Sequence, residues 1–293
     1  MHISVILSTY NQPRALELSL WGFATQSGRD FQVVIADDGS GPETAALIER
    51  MRVETGLEIA HVWHPDRGFR KTEILNRAIL AAGGDYLIFS DGDCIPRSDF
   101  IDVHARHAAP DRYLSGGYLK LPAVVSDAIT VDDVRSGRVS DLQWLRAKGW
   151  KPGRHALRLT RSPALAALLD SVTTTKPHWK GNNASTWKDA CIRVNGFDLD
   201  MGYGGEDRAF GERLRNAGVE PKLIRFRAPT MHLDHPRPYQ DPDIVQHNRA
   251  MVKRIRRERE TRARHGITEL DSGIAPPERR RTRPPATSAR AEQ

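Results

Sequence analysis

The chain has 293 residues, 39% hydrophobic and 28% charged, which suits one large domain or two small ones and is ample for a core. No apolar run approaches the roughly 18 residues that span a bilayer. The net charge of +7 belongs to residues 249–293, with 13 Lys/Arg against 6 Asp/Glu; residues 1–248 balance at 31 against 31, which argues against a broad nucleic-acid-binding face.

The opening "MHISVILSTYN" lacks a basic n-region, and its apolar run is too short for a leader, so it reads as a first strand. "NQPRALELSLWGFATQ" follows with Leu16, Leu20 and Phe23 at helical spacing, Asn11 as a candidate cap and Pro13 in the first turn. "FQVVIADDGS" is a second strand and "GPETAALIERMR" a second helix. "EIAHVWH" is a third strand, "KTEILNRAILAA" a helix closed by Gly83 and Gly84, and "DYLIFSDGD" a fourth strand. Strands that are continuous apolar runs and alternate with helices predict a largely parallel α/β sheet covered on both faces. In such sheets ligands bind beyond the carboxyl ends of the strands. Ser8 and Thr9, Asp37 and Asp38, and Asp91 and Asp93 all fall there.

Residues 120–178 form a less regular, helical insert, and "HWKGNNASTWKDACIRVNGFD" resumes the pattern. "GYGGEDRAFGERLRNAG" is a Gly-rich turn entering a helix, and "PKLIRFRAPTMHLDHPRP" is a late strand ending in two histidines. Residues 241–265 read as a C-terminal helix. Residues 266–293, rich in Pro, Arg and Ser, read as a disordered basic tail. Cys94 and Cys191 supply neither a disulfide framework nor a zinc spacing, so a reducing cytoplasm is the expected setting.

"FSDGDCIPRSDF" carries the most chemistry. A buried strand ends in two carboxylates separated only by Gly92, and that repulsion is unfavourable unless a cation or a hydroxyl sits between them. An Asp-Gly turn capping the next helix is the plainer alternative.

"STYN", "ADDGS", "SDGD", "KGNNAS" and "GYGGEDRAFGERL" occur in the order that resembles family 2 glycosyltransferases. The last block and "MHLDH" resemble the C-terminal half of galactosyl- and N-acetylgalactosaminyltransferases and of chondroitin-polymerase-like enzymes. The resemblance covers residues 1–240. It implies a GT-A, Rossmann-like fold with a mixed, mainly parallel sheet flanked by helices. It also implies a metal-dependent, inverting hexosyl transfer from a UDP-sugar, guessed as galactose or N-acetylgalactosamine. The acceptor would be a hydroxyl on a glycan or a lipid-linked acceptor. Transfer leaves a charged diphosphate, which a divalent cation between carboxylates and phosphate oxygens offsets. Oxygen ligands suit Mg²⁺ or Mn²⁺, and an imidazole favours Mn²⁺.

By that resemblance Asp93 is the metal ligand and Asp91 contacts ribose or metal-bound water, with Asp91 a second choice as ligand. His232 is the remaining ligand, with His235 as the alternative. Ser8, Thr9 and Tyr10 line the base pocket and Asp38 meets the uracil N–H. Arg67, Arg70 and Lys71 face the diphosphate, or form a solvated loop. Asp207 is the general base, and Glu206 binds an acceptor or donor-sugar hydroxyl. Acids favoured by a helix dipole are the alternative for that pair. Asn182, Asn183 and Gly205 line the donor-sugar and acceptor pocket, or the asparagines brace their loop. Trp179 and Trp187 stack on sugars or pack in the core.

Two rival functions stand beside this one. A nucleotidyltransferase on sugar phosphates would need a Gly-rich basic loop after the first strand, which "STYNQPRA" is not. A non-catalytic sugar- or nucleic-acid-binding module would not need Asp93 and Asp207. The basic tail, with Met251, Val252 and Ile255 among arginines, is expected to bring the protein peripherally to an anionic membrane. A solvated helix is the alternative, and nucleic acid is the weaker third partner.

Overall fold

The computed structural model describes residues 1–28, 30–235 and 241–271. Strand β1 (Ile3–Thr9) leads through helix α1 (Pro13–Ala24) to β2 (Phe31–Asp37), and α2 (Pro42–Thr55) leads to β3 (Glu58–Trp63). Helix α3 (Lys71–Ala81) returns to β4 (Tyr86–Asp91), a short β5 (Cys94–Pro96) follows, and α4 (Phe100–His107) precedes β6 (Arg112–Lys120). The insert holds α5 (Ala123–Ala128), α6 (Val131–Arg135), α7 (Leu142–Ala147) and α8 (Pro163–Val172). Then come β7 (Ala184–Trp187), α9 (Lys188–Arg193), α10 (Glu206–Asn216), β8 (Glu220–His232), α11 (Pro242–Glu258) and α12 (Ile267–Asp271).

These strands form one mixed sheet in the order β3-β2-β1-β4-β7-β6-β8-β5. The first four are parallel neighbours, as their helix-length crossovers require. Strand β7 pairs antiparallel with both β4 and β6, and β6 runs parallel to β8. Alternation divides β1 between two cores. Val5 and Leu7 pack on the side of α1 and α2, and Ile6 packs on the side of α3 and α10.

Asn11 does not cap α1. The cap position is Gln12 without a side-chain bond, and the Asn11 amide oxygen accepts from the Gly41 N–H at 2.9 Å. It joins the loop after β1 to the loop after β2. Gly83 and Gly84 lie beyond the α3 cap, which is Ala82 in an extended conformation. Gly84 is needed for close approach, since a Cβ there would come within 2.6 Å of the Ser4 nitrogen.

The insert is integral to the fold. Its Val125, Val134, Leu145 and Leu159 build a third core with Leu18, Ile95, Leu119 and Met231. Arg14 of α1 donates to the carbonyls of Ser126, Asp127 and Ile129 at 3.0–3.2 Å, tying the insert to the parallel half.

The C-terminal region differs from the sequence reading. Helix α11 ends at Arg259 in the left-handed conformation, short of 265. Residues 267–271 are helical, with Ile267 buried in the core beside α3 and Asn195 accepting from Thr268. Met251 and Ile255, expected to meet lipid, are buried against Met201 and Ala209, and Val252 packs beside them. An apolar stripe on a cationic helix finds intramolecular cover here before it can meet a membrane. The rest of the tail call, 272–293, lies outside the described residues. Among those described, no helix is long and apolar enough to cross a membrane.

Truncating this stripe should therefore unfold rather than release the protein. Ile255→Ala is expected to cost about 2–5 kcal/mol in urea denaturation. A loss of vesicle binding with unchanged stability would contradict this packing.

Candidate active site

The carboxyl ends of β1, β2 and β4 lie side by side. The Gly92 N–H donates to the Ser8 carbonyl at 2.8 Å, which pins the Asp91–Gly92–Asp93 turn across the end of β1. Gly92 has little room for more, since a Cβ would meet that carbonyl at 3.1 Å and the Thr9 Cβ at 3.2 Å. The turn sends its two carboxylates to different partners. Asp91 Oδ1 accepts from Ser8 Oγ at 2.6 Å and from Lys71 Nζ at 2.8 Å. Asp93 faces two histidines. His235 Nε2 lies 2.9 Å from Asp93 Oδ2, and His232 Nε2 lies 3.8 Å from Oδ1.

The pairing of β5 with β8 makes the second arrangement possible, because Cys94 sits opposite His232 in the ladder. His232 Nδ1–H donates to the Leu233 carbonyl at 2.7 Å. That leaves the Nε2 lone pair toward a carboxylate oxygen, an arrangement that a cation between the two groups favours. Gln12 Nε2 donates to His235 Nδ1 at 3.3 Å, and the two imidazoles stack 5.5 Å apart. Burial raises the Asp93 pKa, but the His235 hydrogen bond and the two neighbouring imidazoles bring it below the usual carboxylate value. Cys94 belongs to the same cluster. Burial and the charges of Asp93 and Asp91 push its thiol well up, so it stays a neutral donor to Asp93. The donor set is thus one carboxylate with imidazole nitrogen, which fits a divalent cation.

Helix α10 opens at a second acidic pair. Gly204 and Gly205 have φ of 93° and 122°, a region that only glycine enters without strain. They turn the chain so that Glu206 Oε2 accepts from the Gly204 N–H and Asp207 Oδ2 from the Gly181 N–H, both at 2.8 Å. Asp207 Oδ1 is buried with no hydrogen-bond partner. Burial first, then the charges of Glu206 and Asp91, push the Asp207 carboxyl up to about 7 despite Lys71. The Lys71 ammonium is held protonated, since Asp91, Asp207 and Glu206 outweigh its burial.

On the nucleotide side the Asp38 carboxylate is turned into the protein. It accepts from His64 Nε2 at 2.8 Å and from the Arg70 N–H at 3.0 Å. Burial raises its pKa while these donors act the other way. His64 also stands 3.6 Å from Glu73 Oε1, which accepts from Arg67 and Arg77. Burial alone would lower the His64 pKa, but its carboxylate partners raise it to about 9. Burial alone would raise the Glu73 pKa, but its donors lower it to about 2. Arg67 is thereby committed to Glu73. Arg70 is 8% exposed, and its Nη1 is buried without a partner. Tyr10 is 41% exposed at the rim, its hydroxyl donating to Asp66 Oδ2 at 2.9 Å, and the Thr9 carbonyl accepts from the Asp38 N–H.

Not every expected residue reaches this cleft. Asn183 is fully buried; its amide donates to the Gly117 and Ala228 carbonyls and its Oδ1 pairs with His104, so it braces its loop. Asn182 stays half-buried beside Gly181, its carbonyl accepting from Ser90. Trp179 lies in the core among Phe89, Tyr113 and Phe210, and the Trp187 indole donates to the Ala109 carbonyl. Two residues went unread in the sequence. Glu73 carried no signal beyond an acid in a first turn. His64 ends the "AHVWH" run, and the strand-end rule applied to the first, second and fourth strands would have found it there.

The His64 ion pairs set a pH dependence of stability. A raised histidine pKa gives stability that is complete below its unfolded value and is lost as pH rises through about 9. The Tm should therefore fall between pH 6.5 and pH 9, and His64→Gln should flatten that fall. Parallel curves for both proteins would remove His64 from the account.

Residues 4–119 match the family model "Glycosyl transferase family 2", and residues 173–237 match "N-terminal domain of galactosyltransferase". Validoxylamine A glucosyltransferase of Streptomyces hygroscopicus subsp. jinggangensis is 29% identical over 238 residues, covering 76% of this chain and 53% of the relative. Chondroitin synthase of Pasteurella multocida is 22% identical over 233 residues, covering 76% of this chain and 24% of the relative. The chain thus spans about half the length of the first of these relatives and a quarter of the second. S. aureus TarS 1–349 in complex with UDP-GlcNAc superposes with TM-score 0.57 at 16% identity, covering 94% of this chain and 71% of that one. The mannosyltransferase PcManGT from Pyrobaculum calidifontis, in complex with GDP-Man and Mn²⁺, superposes with TM-score 0.55 at 18% identity, covering 85% and 69%. The curled, mostly parallel sheet is the GT-A fold of these neighbours. The family 2 match spans the parallel half of the sheet with its strand-end acids, and the galactosyltransferase match spans the acidic pair that opens α10, so the chain is similar to family 2 glycosyltransferases over both parts of the site.

Proposed function

We propose that the protein transfers a hexose from a UDP-sugar to a hydroxyl of a glycan or lipid-linked acceptor, with inversion at the sugar. The observation that carries this reading is Asp207. It is a carboxylate held by one backbone N–H, with its other oxygen buried, unpartnered and proton-avid near neutrality. That is the character required of a general base for an alcohol. The acceptor oxygen gives its proton to Asp207 and forms the new bond at the anomeric carbon. The bond from that carbon to the diphosphate breaks on the opposite face, and its electron pair leaves with UDP.

Asp93 with His232, or His235 in its place, would hold the Mn²⁺ or Mg²⁺. Bound there, the cation offsets charge on the departing diphosphate. Arg70, with its unpartnered Nη1, and Lys71 supply fixed positive charge toward the same group. Tyr10, Thr9 and Ser8 form the base and ribose side. Asp38 reaches the base only at the edge of its His64 and Arg70 hydrogen bonds. Glu206 and Asn182 border the sugar. Support for a nucleotide-sugar donor comes from the TarS and PcManGT complexes, and support for a galactose-type donor comes from the galactosyltransferase match. Peripheral contact with anionic lipid is a reading that rests on residues 272–293 alone, with five arginines against two glutamates, because the apolar face of α11 is already covered.

Asp207→Asn should lower kcat at least about a hundredfold with donor affinity nearly unchanged in calorimetry. Normal kcat would move the base elsewhere. In the wild type, kcat/KM should rise with pH through about 7, because Asp207 accepts a proton only once ionised. A flat profile from pH 5.5 to pH 8 would contradict that role.

Asp93→Ala should abolish Mn²⁺ binding, read directly by electron paramagnetic resonance, together with UDP-sugar hydrolysis. Retained hydrolysis in excess chelator would overturn the metal assignment.

A further inference from the structure

A group of cations begins one residue from the backbone N–H that holds Asp207, and no ion pair joins it to an acid among the described residues. Lys180 immediately precedes Gly181, whose N–H holds Asp207, and Lys180 Nζ donates to the Gly116 carbonyl at 3.0 Å. Arg158 reaches in from the insert to donate to the Tyr118 carbonyl. Arg225 comes from β8, donates to Thr175 Oγ1, and leaves its Nε buried with no partner. Among the described residues each cation donates to a neutral oxygen and pairs with no acid. The acid nearby, Asp170, is already committed to the Arg227 guanidinium at 3.0 Å and the Phe226 N–H at 3.1 Å.

The mutual repulsion is substantial. Burial first, then Arg225 and Arg158, bring the Lys180 ammonium down to about 8. Burial and Arg225 bring Arg158 down to about 10. The neighbouring His178 and His155 are pushed down by burial and by these same cations. Three half-buried like charges disfavour the fold unless an anion offsets them.

The position of the group decides which anion. The donor-side cation, Lys71, is surrounded by Asp91, Asp207 and Glu206, and none of these acids acts on Lys180. On one side the group starts at Lys180, next to Gly181, whose N–H holds Asp207. On the other it is bounded by Tyr118, whose ring rests 5.8 Å from His232. A hydroxyl offered to Asp207 would therefore come from a molecule that crosses this positive ground.

Resting on the transfer reading above, we propose that the acceptor is anionic, with a carboxylate or phosphate ester held by Lys180, Arg158 and Arg225 beside the hydroxyl that reacts. The insert, which supplies Arg158, then takes part in choosing the acceptor.

The test compares three probes on the full chain with UDP and Mn²⁺ present: methyl β-glucuronide, glucose 6-phosphate and neutral methyl β-glucoside. Dissociation constants are read by ligand-observed NMR. One charged probe should bind at least about tenfold tighter than the neutral one at low salt, as charge-assisted hydrogen bonds allow. The tighter of the two names the anionic group. About 0.5 M NaCl should largely remove the preference. Arg158→Gln and Arg225→Gln should bring it close to one, while Arg158→Lys should retain it. The neutral probe and circular dichroism report folding in each variant. If a variant does not fold, Arg158→Lys and the salt titration of the wild type still decide. Charged and neutral probes binding within about twofold would overturn the proposal. So would a preference that persists in both Gln variants, or UDP affinity falling by the same factor, which assigns the group to the donor. Hydrolysis of UDP-sugars is measured separately; its absence would sink the transfer reading without altering the probe ratios.

Discussion

Everything at this site depends on how one turn separates two like charges. Gly92 is drawn against the end of β1 by its hydrogen bond to Ser8, and the acids on either side of it are forced apart. Asp91 goes to Lys71 and Asp93 goes to the histidines. The two carboxylates therefore serve two different partners, an ammonium and a pair of imidazoles. Lys71 also feels Asp207 and Glu206, so one ammonium links the strand-end acids to the acidic pair that opens α10. Without Lys71, three acids would share a buried corner with nothing between them.

The fold brings these groups together by an unusual use of the sheet. Its parallel half delivers residues from the first 93 positions to one edge. The antiparallel additions β7, β6 and β8 then return residues from beyond position 180 to the same edge. The ladder between Cys94 and His232 sets the histidine beside Asp93, and the Asn183 amide locks β6, β8 and α4 behind it. Glycines at 204 and 205 aim the α10 N-terminus inward, and α11 holds them there through Asn248, which donates to the Gly202 and Tyr203 carbonyls. The helix once suited to a membrane thus supports the glycine turn that places Asp207.

Charge compensation is uneven across the molecule. Around His64 every charge has an opposite neighbour, which ties the end of β3 to the start of α3. Around Lys180, among the described residues, no acid acts to offset the charge. Such an imbalance is more common where a bound molecule completes it, and this one begins next to Gly181, which holds Asp207.

What the sequence by itself determined is whatever rests on local periodicity and on the ends of elements. The apolar runs ending at Thr9, Asp37 and Asp91 announced parallel strands with polar tips, and the double glycine before Glu206 announced an inward turn. These signals are carried by residues within a few positions of one another, so no distant partner is needed to read them. Tertiary structure decided where side chains point and what covers them. Asn183 looked like a pocket residue and is buried because β6 and β8 set carbonyls around it. Met251 and Ile255 looked like a lipid-facing stripe and meet α10 instead. Lys180, Arg158 and Arg225 are far apart in the chain and ordinary one by one, and only the packing of the insert on β6 and β8 makes them a single charge. Burial and long-range pairing depend on what another segment places opposite, and no local pattern contains that.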